Sequence, residues 1–466
     1  MKLKIWQLPI LFFVLSITSC MKFLEEKPDA FIDPDQFYKD EQQANSGVVG
    51  IYATLSDFNA YGSFYNMSDL PSDLMEPGYQ GNQSTTSMDS YTFDSNNDII
   101  AAYWRVHYMG INRANLAINK INLMEGNINP AIKNQLLAEA RFLRGLFYFN
   151  MVRWFGKIPL SLNYVSSLDE VNLPQSDAAT VYETIIGDLT FAGEHLPESM
   201  PAGRATVYAA KTLLGKVYLT LGRWEPAVDQ LESVIGKHSL FSSYGDVWTN
   251  ANKNGKEFIF CVQYKAGIIN SSYSVNFAPR SSGIQAVQSY GEMAVETGFY
   301  NSFAGNDARK QLIRTSYPKY DGSGTANFNK PYSFKYFDLA EGGLSGVNYP
   351  VLRYADVLLM YAEAKNEIQY GSVEAFDAIN KIRDRANVNL YDVQNFDQQS
   401  FRQAVWQERA WELAFEGHRW FDLVRTGQLV QTISQTGKQI FERNKVFPIP
   451  QREMDVNKLL KQNDSY

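Results

Sequence analysis

Hydrolysis of a glycosidic or similar bond needs two carboxylates across a cleft, and Asp69 with Asp73, or Glu292 with Glu296, are the pairs whose spacing allows it. Neither pair lies in a catalytic motif, and acidic residues in such loop-like sequence are ordinarily solvated. The four histidines, His107, His195, His238 and His418, fall in separate segments with no metal-ligand spacing, so no zinc site is expected. Asp94-x-Asn96-x-Asp98 opens like a calcium loop. Ile99 then stands where glycine must turn the chain and Arg105 where a bidentate glutamate is required, which rules out an EF-hand. Gly342-Gly343 lacks the strand and helix of a phosphate loop, and no Gly-x-Ser-x-Gly elbow occurs. The sequence therefore predicts no catalytic residue, no metal and no cofactor. What it offers is a set of gripping residues: Tyr79, Gln80 and Asn82 in one stretch, and Tyr273, Asn276, Arg280 and Tyr290 in another. Aromatic faces cover the C–H patches of a sugar while amides and guanidinium bond its hydroxyls, so this group is expected to bind a glycan or peptide.

Two irregular stretches carry these residues. Residues 60–98 are rich in Gly, Ser, Asn and Tyr without a sustained period of 3.6 or 2, and are expected to form a long surface loop. Its Tyr61, Phe64, Tyr65 and Tyr91 argue against simple disorder. Residues 264–349 have the same character, and the segment to residue 300 completes the expected site. A scaffold must hold the two together, and its pattern is helical. Thr206–Ile235 reads as a helical hairpin: Val207, Ala210, Leu214, Val217 and Leu221 make one apolar stripe, Gly222 ends the first arm, and Ala227, Leu231 and Val234 continue the stripe on the second. Gly215 and Ala227 keep side chains small where the two helices approach. The order Leu214-Gly215-x-x-Tyr218, Gly222-x-Trp224-x-x-Ala227 resembles a tetratricopeptide unit, which must stack on neighbours to bury its apolar face.

Further helices are expected over Gln42–Asn59, Ile99–Met124, Pro130–Phe155, Val181–Leu196, Pro350–Tyr370, Val373–Ala386 and Gln398–Thr426, with Lys256–Gln263 as one of few strands. The fold class is mainly α: tetratricopeptide-like helical hairpins with long irregular loops and a few short strands. Glu416, Arg419 and Asp422 recur three apart beside Trp420 and Phe421, a spacing expected to pair their charges along one helix face and fix its register.

The 466 residues carry 14% aromatic residues and a formal charge of −7, with no basic stripe, which argues against a nucleic-acid partner. Residues 1–19 contain Lys2 and Lys4 followed by an apolar run too short to span a bilayer, and read as a secretory signal peptide. Ile17-Thr18-Ser19-Cys20 resembles a bacterial lipoprotein cleavage box. Cys20 would become the lipidated first residue of a mature chain of charge −9, anchored to a membrane and not spanning it. Cys261 is then left as a buried thiol.

Several blocks resemble the SusD/RagB family of outer-membrane nutrient-binding lipoproteins. They are Ala138–Arg144, Trp154–Leu160, Leu352–Asp356 with Glu363-Ala364, Glu408-Arg409, Glu412–Leu423, and Phe447–Pro450 with Glu453. With Cys20 they run through nearly the whole chain in the expected order. The resemblance implies one α-rich domain over residues 20–466, with an N-terminal part 20–255 and a C-terminal part 256–466. It also implies no enzymatic activity, a lipid-anchored place on the cell surface at the outer membrane, and a SusC-like TonB-dependent transporter as partner, which the protein caps while passing it a nutrient. A helical-repeat protein–protein adaptor, a peptide- or glycoprotein-binding relative and a surface hydrolase stand as alternatives. The family commonly ends in Asn-Pro-Gly-Tyr, whereas this chain ends Asn463-Asp464-Ser465-Tyr466.

Overall fold

The structure is a computed structural model and describes residues 37–466 except 79–81, 166, 168–169, 171, 286–287 and 339–343. The signal segment and Cys20 lie outside the described residues, as do Tyr79 and Gln80.

Each helix packs on the next in a stacked series: Asp98–Asn122 on Pro130–Phe155, that on Ala178–His195, then Val207–Thr220, Trp224–Glu232 and Tyr354–Ile368. Val373–Arg385 and Gln398–Glu412 complete the series against Tyr354–Ile368. Local sequence sets the boundaries. Asn97 accepts the N–H of Ile99 (2.9 Å) and of Ile100 (3.2 Å), and Asn129 with Pro130 opens the next helix. The hairpin expected at Thr206–Ile235 is present. Gly222 has φ +67°, and a Cβ on Gly215 would lie 2.9 Å from the Leu231 side chain, so a larger residue there would have to displace Leu231 on the second helix. No helix among the described residues is long and apolar enough to cross a membrane.

Three expectations change. Residues 60–72 do not form a surface loop but are buried throughout, as a π-type turn at Phe58–Gly62, a 3₁₀ turn at Phe64–Met67 and the segment that follows. Several of their polar residues bond within the stretch, as where Ser68 Oγ donates to Phe64 O at 2.7 Å, and others reach distant partners, as Tyr65 does at Glu292, so a sequence that looks solvated can sit in the core. Residues 350–353 are strand, not helix: Tyr349–Arg353 pairs antiparallel with Phe258–Val262, and the helix starts at Tyr354. The helix expected over Gln398–Thr426 is broken, because Phe415 (φ +66°) and Gly417 (φ +77°) take left-handed conformations between Gln398–Glu412 and Arg419–Arg425.

That break redirects the charges. Glu416, Arg419 and Asp422 do not pair with one another. Arg419 donates to Asp73 (2.7 and 2.8 Å), Asp422 accepts from Arg409 and Arg425, and Glu416 accepts from Lys335 and Arg353. Helical spacing predicts contact only while the helix continues. Around Arg353 the pairs extend into one buried cluster. Arg309, Arg353, Arg383, Arg385 and Lys335 interlock with Asp307, Glu257, Glu408, Glu412 and Glu416, five cations against five anions. Arg353 and Lys335 hold the Glu416 carboxyl down at about 2 despite its burial. The C-terminus docks without the family's usual ending: Asn463 Nδ2 donates to Phe155 O (3.0 Å) and Phe447 O (2.8 Å), and the Tyr466 hydroxyl donates to Val446 O (2.9 Å).

Glu416→Gln leaves Arg353 and Lys335 without their shared carboxylate and should destabilise the fold by about 3–5 kcal/mol. The check is the denaturant midpoint, and an unchanged midpoint would show that the cluster does not hold these elements.

Candidate functional site

The two irregular stretches meet. Met75–Pro77 pairs antiparallel with Met293–Val295, and Gly78 N donates to Glu292 O at 2.9 Å. A Cβ on Gly78 would stand 2.5 Å from Gly291 O, and one on Gly291, at φ +59°, 2.5 Å from Arg280 N. Backbone from three segments is thus pressed together where side chains would not fit, and it carries Arg280 and Tyr290 on its outer edge. Tyr290 is 53% exposed, and its N–H donates to Val275 O at 2.8 Å, so the ring stands out from a fixed backbone.

The expected site residues separate into two layers. Arg280 and Tyr290 are exposed, and so is Asn82, whose Oδ1 accepts the N–H and hydroxyl of Thr85 (both 2.8 Å) and caps a short helix, Gln83–Ser90. Tyr273 and Asn276 lie beneath the surface, not on it. The Tyr273 hydroxyl donates to Tyr61 O (2.6 Å), and its ring stacks on Tyr349 with centroids 5.0 Å apart. Asn276 Nδ2 donates to the Tyr65 hydroxyl (2.8 Å), which donates to Glu292 Oε2 (3.1 Å), two residues from Tyr290. Their amphipathic chemistry serves to join the stretches.

One feature of this surface escaped the sequence reading. Ile313–Pro318 and Thr325–Ser333 form a hairpin, and Tyr320 in its turn is half exposed, with its N–H donating to Gly283 O at 2.8 Å. Asp321-Gly322 between strand-like runs was the available signal. The hairpin has its own small core of Ala278, Ile284, Ala294, Tyr332 and Phe334, separate from the main one.

The carboxylate pairs considered for hydrolysis do not face each other across a cleft. Asp73 is bound to Arg419, Glu292 accepts from Tyr65, and Glu296 is paired with Lys438 (2.8 Å). Asp69 is fully buried. Its Oδ2 accepts the Gly417 N–H (2.9 Å), its Oδ1 has no hydrogen bond among the described residues, and burial pushes its carboxyl up to about 7. No cluster of potential metal ligands occurs among the described residues.

Helices that stack in series and two stapled irregular stretches form an architecture with known counterparts. Residues 245–466 match the family model described as the SusD family, and residues 22–219 match a second, described as starch-binding associating with outer membrane. A SusD-like protein of Formosa agariphila is 30% identical, over 97% of each chain. The chain belongs to the SusD family. Among solved structures, a SusD superfamily protein of Parabacteroides distasonis superposes with a TM-score of 0.84 at 27% identity, covering 91% of this chain and 99% of that one. A laminarin-binding SusD-like protein gives 0.81 at 26% identity, covering 92% of this chain and all of that one. This SusD-family chain thus has the mainly α fold that its sequence predicts.

The raised Asp69 carboxyl makes stability depend on pH. A folded-state value above the ordinary 3.8 stabilises the fold at low pH, and that contribution is lost as pH rises towards about 7. Asp69→Asn keeps an acceptor for Gly417 and removes the titration. Between pH 5 and pH 8 the wild type should lose on the order of a few kcal/mol relative to this variant. Thermal midpoints of both proteins at the two pH values test this, and a gap that does not change with pH would refute it.

Proposed function

We propose that this protein is a non-catalytic, lipid-anchored glycan-binding protein of the outer-membrane surface that passes its ligand to a SusC-like TonB-dependent transporter. The observation that carries the reading is the stapled edge at Gly78, Arg280 and Gly291. It holds Tyr290 and Arg280 outward on rigid backbone, next to the chain that leads into Tyr79 and Gln80. A rigid aromatic on a fixed backbone can cover one sugar face, at little cost in ordering on binding. Membership of the SusD family, the starch-binding description of the matching N-terminal model and the laminarin-binding relative all support a glycan as ligand. The lipoprotein-like box at Cys20 supports the anchor.

Affinity electrophoresis against a panel of soluble glycans, laminarin among them, identifies a ligand. Tyr290→Ala should then cost about 1–2 kcal/mol of binding while leaving the thermal midpoint nearly unchanged, because the ring is half in solvent and packs little. Equal affinity in the variant would remove Tyr290 from the site. If no glycan binds but peptides do, the same surface serves a peptide-binding member of the family.

The transporter partner is tested separately. Mild detergent extraction at native expression should co-purify a large β-barrel with the lipoprotein, and repeated recovery of the protein alone would count against the cap.

A further inference from the structure

A cavity lies inside the scaffold, lined by none of the residues of the stapled edge. A cavity of about 320 Å³ opens between helices Pro130–Phe155, Ala178–His195, Val207–Thr220 and Arg419–Arg425, and its wall includes Arg153, Tyr182, Lys216, Arg409, Asp422 and Arg425. That volume is at the small end for ligand sites, suited to a molecule the size of one sugar or amino acid.

The charges around it do not balance. Lys216 and Arg409 share Asp356, Arg409 and Arg425 share Asp422, and Arg425 also takes Glu363, so three cations meet three carboxylates. Lys445, also on the wall, has Glu442. His418 is held neutral at neutral pH, its imidazole pushed down to about 3 by burial and by Lys216. Arg153 is a further cation and makes no ion pair among the described residues. Its guanidinium lies between the rings of Phe149 (3.8 Å) and Phe421 (3.7 Å), with Nε donating to Phe149 O (3.0 Å) and Nη2 to Asn150 Oδ1 (2.8 Å). Those contacts fix the plane of the group and leave Nη1 without a hydrogen bond among the described residues. Burial draws the guanidinium down to about 10, and it remains charged at neutral pH. Tyr182, on the same wall, is near enough for Arg153 to act on its hydroxyl, which has no hydrogen bond of its own among the described residues.

We propose that this cavity binds one small organic or inorganic oxyanion, with Arg153 as the principal donor and Lys216 and Tyr182 beside it. Asp422 and Asp356 act on Arg153 only from a distance. A pre-oriented guanidinium with no carboxylate bonded to it is costly in a partly buried site, and a carboxylate or phosphate oxygen would recover that cost through charge-assisted hydrogen bonds. The apolar remainder of the wall, Val152, Leu219, Val424 and Val446, suits the carbon skeleton of a carboxylated sugar. The site does not depend on the outer surface being the glycan site.

The test is isothermal titration of the intact chain at low ionic strength, in a buffer free of phosphate and carboxylate. The probes are sodium D-glucuronate, sodium phosphate and, as neutral control, D-glucose. Saturable one-to-one binding of either anion but not of glucose is expected, and which anion binds tells a carboxylated sugar from free phosphate. Arg153→Gln should weaken that binding by at least about tenfold, while Tyr290→Ala leaves it unchanged. Absence of saturable binding by both anions overturns the proposal, as does equal affinity in Arg153→Gln. Should that variant fail to fold, Val424→Trp fills the cavity while keeping every charge, and unchanged anion affinity in it overturns the proposal equally.

Discussion

Arg353 stands out of water with three carboxylates, Glu257, Glu412 and Glu416, around its guanidinium, drawn from two distant stretches of the chain. Glu257 precedes the strand Phe258–Val262, Glu412 ends a helix, and Glu416 sits in the left-handed break after it. Removing these charges from water is expensive, and the expense is offset only when every member has its partners in place. The cluster therefore enforces one arrangement of strand, helix and break. Through that arrangement it sets where Gly417 meets Asp69, and so where the buried stretch 60–72 must lie.

Above this foundation the molecule changes character. Tyr61, Phe64, Tyr65, Tyr273, Tyr336 and Tyr349 stack edge and face on one another, with the Tyr273 and Tyr336 hydroxyls donating to backbone carbonyls and the Tyr65 hydroxyl accepting from Asn276. Tyrosine can do this because its ring packs like phenylalanine while its tip meets a polar backbone that no regular ladder satisfies. The abundance of tyrosine thus has two origins. Part of it displays rings to solvent, as at Tyr290 and Tyr320, and a larger part holds irregular backbone in the interior.

That division explains what was legible in the sequence. Helices with apolar stripes and side-chain caps, such as Asp98–Asn122 and Pro130–Phe155, were readable because periodicity and capping are local properties. The hairpin at Thr206–Ile235 was readable because glycine and alanine mark close helix approach. Residues 60–72 misled because a polar, tyrosine-rich segment looks the same whether water or a buried backbone satisfies it, and only tertiary partners decide. The break at Phe415 was hidden for a related reason: no local rule puts phenylalanine at positive φ, and the partners that accompany it, such as Tyr336 donating to Phe415 O, are remote in sequence. At the candidate site the two stretches were legible as a pair, yet which tyrosine faces outward depended on a strand pairing between residues more than 200 positions apart, Met75 with Val295. Arg153 escaped notice because an unpaired cation can be recognised only after all of its neighbours' charges are assigned.

The small core beneath the hairpin, Ala278, Ile284, Ala294, Tyr332 and Phe334, does not merge with the main one. The outward-facing part of the molecule consequently answers to its own packing rules. Both of its feet are nonetheless tethered to buried charge, with Arg309 four residues before Ile313 and Lys335 two residues after Ser333, so any tilt of the hairpin is felt by Glu408 and Glu416.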